Sequence, residues 1–219
     1  MTETPARTRG PGRPLRGRSP ASEDTVLAGA LHAFAAYGYA GVSLRTLARE
    51  LGVSHNLLHQ RYGSKAGMWF ACVDWGFGGL VERLDDIVTA DGSDRDRLHA
   101  FLFTFALFSA RNPDLHRLVN IESSAPSDRL NYLCDNYARP TADRILPLYT
   151  RAVERNELRA VPIESLYYLI TSGVGAMYSG NALTDRLFGS ARLQPDRLEE
   201  HAHAVADLLI DGLRPTPHT

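Results

Sequence analysis

The sequence predicts an all-α protein with a helix-turn-helix in front and a larger helical body behind. Three observations predict it: apolar residues recur at helical spacing along most of the chain, no stretch alternates as a half-buried strand would, and two short helical segments meet at a Gly52-Val53-Ser54 turn. With 219 residues, 44% of them hydrophobic, the chain can bury one good core or two modest ones. The polar, Arg-rich start lacks the apolar centre of a signal peptide, and nothing later approaches eighteen uninterrupted apolar residues, so a cytoplasmic protein with no membrane partner is expected. Cys72 and Cys134 stand singly in apolar surroundings and read as buried, reduced thiols.

Residues 1–20 hold four prolines, three glycines and five arginines without an apolar face, the composition of a disordered arm. Ser22 followed by Glu23 and Asp24 starts a first helix, with Val26, Ala30, Leu31 and Phe34 on one face and an end near Gly38. Ser43 caps a second, short helix whose inward positions are Leu44, Leu47, Ala48 and Leu51. Gly52 supplies the turn, and Ser54 caps a third helix from about His55 to Arg61. From Ala66 a long segment runs toward Val88, and Asp94–Arg111 reads as a centrally buried helix, apolar nearly all round. The stretch Asp128–Asn156 is one helix kinked near Pro140 and Pro147, or two. Two last helices are expected over about Ile163–Leu183 and Pro195–Leu213. The expected organisation is an arm (1–20), a helix-turn-helix domain (21–66), a helical body (67–214) and a tail (215–219).

Charge divides along the same line. Residues 1–65 carry eight arginines and one lysine against four acids, a net +5, whereas residues 66–219 carry fifteen arginines against twenty-one acids, a net −6. A basic front is the footprint of a polyanion binder, and the acidic remainder argues against the whole surface lying on nucleic acid. In a helix-turn-helix the first helix braces and the second enters the major groove. Leu47, Ala48, Val53 and Leu58 must then face inward, leaving His55, Asn56, Leu57 and Gln60 free to meet base edges. Asn and Gln can bond adenine bidentately, and Leu can lie against a thymine methyl.

The run SLRTLARELGVSHNLLHQRYGSK, preceded by FAAYGYAGV, resembles the N-terminal domain of TetR-family regulators. Gly38, Tyr39, Ser43, Leu47, Ala48, Gly52, Val53, Ser54, Leu58, Tyr62, Ser64 and Lys65 stand at the positions of that pattern. The resemblance implies nine or ten helices: a three-helix DNA-binding domain followed by a helical ligand-binding and dimerisation domain. It further implies that Ser43 and Lys65 touch phosphates while Arg45 and the third helix, with its capping Ser54, approach the groove. His59 replaces the usual Tyr phosphate contact, Gln60 a His, Arg61 a Tyr and Gly63 a Pro, so the preferred operator cannot be borrowed from relatives.

Arg13, Arg16 and Arg18 lie in an RGPGRPLRGR segment whose Gly-Arg-Pro is similar to an AT-hook core; it is either a solvated tail or an arm adding phosphate or minor-groove contacts. The resemblance places an effector pocket in the body, with Trp69, Phe105, Phe108, Tyr132 and Tyr149 as its expected lining and His116, Asn120 and Glu122 as its sparse polar groups. The effector is expected to be a small apolar or aromatic molecule. Gly173, Gly175, Ala176, Ser179 and Gly180 of the penultimate helix, with Leu169, Ile170, Val174 and Met177, and Leu198, Ala202, Val205 and Leu209 of the last, resemble the family's homodimer interface. His201 and His203, two apart, point to different helix faces, so neither metal nor cofactor is expected. No catalytic set is recognisable. The reading that emerges is a homodimeric repressor released from a palindromic operator by its effector. The alternatives are an architectural DNA binder without an effector and, less well supported, a helical enzyme that has kept a DNA-binding front.

Overall fold

In a computed structural model, residues 22–176, Tyr178, 182–189 and 195–215 are described. Arg13, Arg16, Arg18, Met177, Ser179 and Gly180 lie outside them. Among the described residues the chain is helical throughout, without strands, and no helix is long and apolar enough to cross a membrane.

Helix α1, Glu23–Gly41, begins where the Ser22 hydroxyl accepts the Thr25 amide at 3.2 Å. Gly38 interrupts it at φ 68°, ψ 167°, a conformation closed to residues with a Cβ, so the regular helix ends where the sequence suggests. Helices α2 (Leu44–Leu51), α3 (His55–Tyr62) and α4 (Lys65–Phe77) follow, capped in turn by Ser43, Ser54 and Ser64. The long segment expected from Ala66 to Val88 is broken: Gly79, at φ 78°, separates α4 from α5 (Leu80–Thr89).

Helix α6, Asp94–Arg111, has the expected bounds and runs through the centre of the body, against α5, α9 and α12. A capping box between Ser93 and Asp96 fixes its start. Helix α7 (Pro113–Glu122) uses Pro113 in its first turn, where the missing N–H costs nothing. Helix α8 (Asp128–Leu133) passes through a π turn, Cys134–Ala138, directly into α9 (Arg139–Glu154). The expected kink is thus replaced by a wide turn just before Pro140, and Pro147 is held inside α9. Helix α10 (Ile163–Tyr168) also widens into a π turn, Leu169–Gly173; the chain resumes as α11 (Ala182–Phe188) and ends in α12 (Pro195–Gly212).

One apolar core runs from Val26 in α1 to Leu213 behind α12, so head and body share it. Helix α1 packs on both α4 and α7, and Gly76 lets them close: a Cβ there would lie 3.2–3.3 Å from Leu115 of α7 and Leu31 of α1. Asp94, only 2% exposed, ties α6 to α9 by bonds from Arg151 (2.9 Å) and Arg155 (3.1 Å), with Arg97 at 3.3 Å. Cys72 is buried and donates to the Trp69 carbonyl at 3.2 Å; burial pushes its thiol pKa up to about 12. Cys134 is half-buried.

Candidate functional site

Two sites emerge: a reading head on α2 and α3, and a cavity in the body. In the head, Leu47, Ala48 and Leu58 are buried and lock the two helices, while Leu44, Leu51 and Val53 pack partly buried against them. Gly52 adopts φ 67°, ψ 27°, and the Val53 amide returns to the Ala48 carbonyl at 3.0 Å, which closes the turn. The Ser54 hydroxyl accepts the Leu57 amide at 3.1 Å, so α3 starts cleanly and presents its first turn outward. His55, Asn56, His59 and Gln60 are exposed on α3, and Arg45 on α2. Leu57 is half-buried, which narrows its reach toward a thymine methyl.

Ser43 and Lys65 have structural partners. The Ser43 hydroxyl accepts the Thr46 amide at 3.1 Å and shares a bond with the Thr46 hydroxyl at 2.8 Å. The Lys65 ammonium donates to the Val42 carbonyl at 2.8 Å and sits 4.2 Å from the Tyr39 ring centre. The same ring meets the Arg129 guanidinium at 4.0 Å. Arg129 stands on α8 and is gripped at 2.9 Å by both carboxylate oxygens of buried Glu122 at the end of α7. The turn ahead of α2 is therefore pinned to the body by a cation, a ring and an ion pair. Sequence reasoning missed Arg129, and placed Glu122 in the pocket instead; a contact ninety residues apart carries no local signal.

The cavity, about 470 Å³, lies between α6, α7, α9 and α10. Leu98, Phe101, Leu102, Phe105, Phe108 and Asn112 bring one stripe of α6 along it, a rise of roughly 21 Å at 1.5 Å per residue. Of the five aromatics expected to line a pocket, Phe105, Phe108 and Tyr149 do so. Trp69 and Tyr132 do not: Trp69 is 0% exposed, edge-on to Phe70 and Tyr132 behind the head, where it joins the two regions by packing. His116 lines the cavity, its Nε2 3.0 Å from the Thr171 carbonyl and its Nδ1 3.2 Å from Asn120. Burial lowers its pKa, so it is neutral at pH 7, donating from Nε2 and accepting at Nδ1.

Tyr137, in the first π turn, also lines the cavity, stacked on Phe77 with ring centres 4.0 Å apart. Its hydroxyl donates to Asp74 of α4 at 2.5 Å, and the Tyr132 hydroxyl donates to the same oxygen at 2.6 Å. Burial, then the bond to Asp74, raises both phenol pKa values, that of Tyr132 to about 12, so both stay protonated donors. A wall of the cavity is thus bonded to the helix that begins at Lys65. On the far side, Val174 and Ala202, expected at a dimer interface, are buried against Ala106 of α6 within one chain. Leu169, also expected there, stands exposed in the second π turn, as do Leu187 and Phe188 of α11 and Leu208 of α12.

Comparisons with known proteins agree with this architecture. The model of bacterial regulatory proteins of the tetR family matches residues 26–72, and that of the tetracyclin repressor-like C-terminal domain matches residues 96–209. A nucleoid occlusion factor SlmA from Shewanella sediminis is 32% identical over 79 residues; that match spans 36% of this chain and about 40% of the relative's length. The HTH-type transcriptional regulator YezE of Bacillus subtilis is 23% identical over 189 residues, covering 84% of this chain and 94% of its own. Among solved structures, a regulatory protein of the tetR family from Rhodococcus RHA1 superposes with a TM-score of 0.69 at 20% identity, over 90% of this chain and all of that one. The transcriptional regulator FadR from Bacillus subtilis, in complex with stearoyl-CoA, superposes with a TM-score of 0.64 at 13% identity, over 88% of this chain and all of that one. With family models covering the head and more than half of the chain behind it, the chain belongs to the TetR family: it is a DNA-binding transcriptional regulator and not an enzyme.

Proposed function

We propose that the protein is a ligand-responsive repressor that holds a palindromic operator as a homodimer and releases it when a small apolar molecule fills the cavity. The observation that carries this reading is the hydrogen bond from Tyr137, a cavity wall, to Asp74 on α4. A ligand that displaces the Tyr137 ring pulls on α4, and α4 starts at Lys65, which braces the carbonyl just ahead of α2. Differential binding to two spacings of the reading heads is all the switch requires.

In this reading His55, Asn56, Leu57 and Gln60 meet base edges, Arg45 and Ser54 approach the groove, and Ser43, His59 and Lys65 contact phosphates. Arg13, Arg16 and Arg18 add backbone or minor-groove contacts. Leu169, Leu187, Phe188 and Leu208 supply apolar surface for the partner protomer. A DNA binder without an effector is the second reading, favoured by the SlmA relatives, whose similarity is confined to less than half of this chain.

Fluorescence anisotropy on DNA from upstream of the protein's own gene tests the head. Gln60→Ala and Lys65→Ala should each weaken binding about tenfold, as expected for loss of a base contact or of a charged brace. Wild-type binding indistinguishable from both variants would refute the assignment.

A further inference from the structure

We infer that the effector is an elongated lipophilic cation, its chain lying along α6 and its positive end at the opening between α9 and α10. This rests on the cavity being the effector site. Length comes from the α6 stripe, which lines the space over roughly 21 Å, about four helical turns. A volume of about 470 Å³ spread over that length leaves room for one extended chain rather than a broad fused-ring system.

The sign of the head group comes from charge. Among the described residues no Lys, Arg or Asp lines the cavity, and the one ionised lining residue is Glu164, which is exposed at the opening with Leu146, Ile163, Tyr167 and Tyr168. Asp85 of α5 is paired with Arg144 at 2.5 Å, and Asp135 of the first π turn with Arg139 at 3.5 Å. Among the described residues the Glu164 carboxylate has no ion-pair or hydrogen-bond partner. Tyr167 and Tyr168 follow it by three and four positions, on the same side of α10. Their rings meet edge to face at 5.4 Å and the two residues are 44% and 66% exposed, leaving open π faces on the side of α10 that carries Glu164. A carboxylate with two aromatic faces receives an ammonium group. It repels a carboxylate or a phosphate, which would find no cationic side chain among the described lining residues.

The polar groups farther in fit a chain rather than a second charge. Ser109, Asn112 and His116 contribute neutral atoms, and the Asn112 amide is already donated to the Phe108 carbonyl at 2.8 Å.

The test uses the full-length protein and four probes of matched chain length, below their micelle thresholds: dodecyltrimethylammonium, dodecanol, dodecanoate and dodecanoyl-CoA. Calorimetry gives their affinities, and anisotropy of a bound operator fragment gives their power to release DNA. The expected order is ammonium, then alcohol, then the two anions, with the ammonium binding at least tenfold more tightly than dodecanoate. Glu164→Gln should weaken the ammonium about threefold and leave the alcohol unchanged. Tighter binding of dodecanoate or dodecanoyl-CoA, or an ammonium affinity unmoved by Glu164→Gln, would overturn the cation while leaving the effector cavity standing. Failure of all four probes to bind would overturn both.

Discussion

Replacing Gly67 by Ala perturbs the reading head without touching any DNA-facing residue. A Cβ built on Gly67 overlaps the carbonyl oxygen of Tyr62, the last residue of α3, and reaches that carbonyl carbon at 3.2 Å. The obstacle is backbone, so it cannot rotate away; α3 and α4 must separate by on the order of 1 Å, a strain of roughly 1–3 kcal/mol. The better helix propensity of Ala returns about 1 kcal/mol, leaving a net loss of up to roughly 2 kcal/mol. For a chain of this size that lowers Tm by up to roughly 8 °C. Shifting α3 by the same distance should also reduce operator affinity at least tenfold, because bidentate base contacts tolerate little displacement. Gly212→Ala is the control: its Cβ meets nothing within 4 Å, so its melting should match or slightly exceed the wild type and its operator binding should match it. Differential scanning calorimetry and anisotropy read both effects. An unchanged or raised Tm together with unchanged operator binding in Gly67→Ala would refute the packing argument.

Other outcomes follow from the ion pairs and the proposed coupling. Asp94 is held below the usual carboxylate range, chiefly by its hydrogen bonds from Arg151 and against the opposing effect of desolvation. A lowered pKa stabilises the fold above the unfolded value near pH 4 and loses that contribution as pH falls through the folded value. Asp94→Asn should therefore cost about 2 kcal/mol at pH 7, discounted from a fully buried pair because the guanidinia reach solvent, and the gap in Tm from wild type should close below pH 4. Tyr137→Phe and Asp74→Ala each remove the bond between cavity and α4; ligand should still bind within about threefold, but its power to release operator should fall about tenfold, read by paired calorimetry and anisotropy. Arg129→Met should loosen the Tyr39 contact and weaken operator binding several-fold, leaving ligand affinity unchanged, as measured by the same pair of assays.

The head was legible in the sequence because its determinants are local. Ser22, Ser43 and Ser54 each cap a helix within three residues of themselves, and Leu47, Ala48 and Leu58 fall inward by periodicity alone. The bounds of α6 were legible for the same reason. The breaks were harder. Gly78 and Gly79 lie in an apolar run that reads as continuous helix, and a π turn at Cys134–Ala138 leaves no mark in residue spacing until the neighbours it packs against are known. The cavity was the least legible part, since its walls come from eight helices spread along the chain. Trp69 and Phe105 look alike in sequence, both aromatic in an apolar helix; only packing puts one behind the head and the other on the cavity wall. Asp74, Glu164 and Arg129 gave no signal either, because each acquires its meaning from a partner or a cavity formed only on folding.

Selection of bound sequences from random DNA by the wild-type protein tests the central claim most directly. A paired reading head predicts one enriched palindrome, its half-sites about one helical turn or a small multiple apart, and loss of that enrichment in Gln60→Ala. Recovery of DNA without any shared motif, or of a motif that Gln60→Ala leaves unchanged, would contradict α3 as the element that reads sequence.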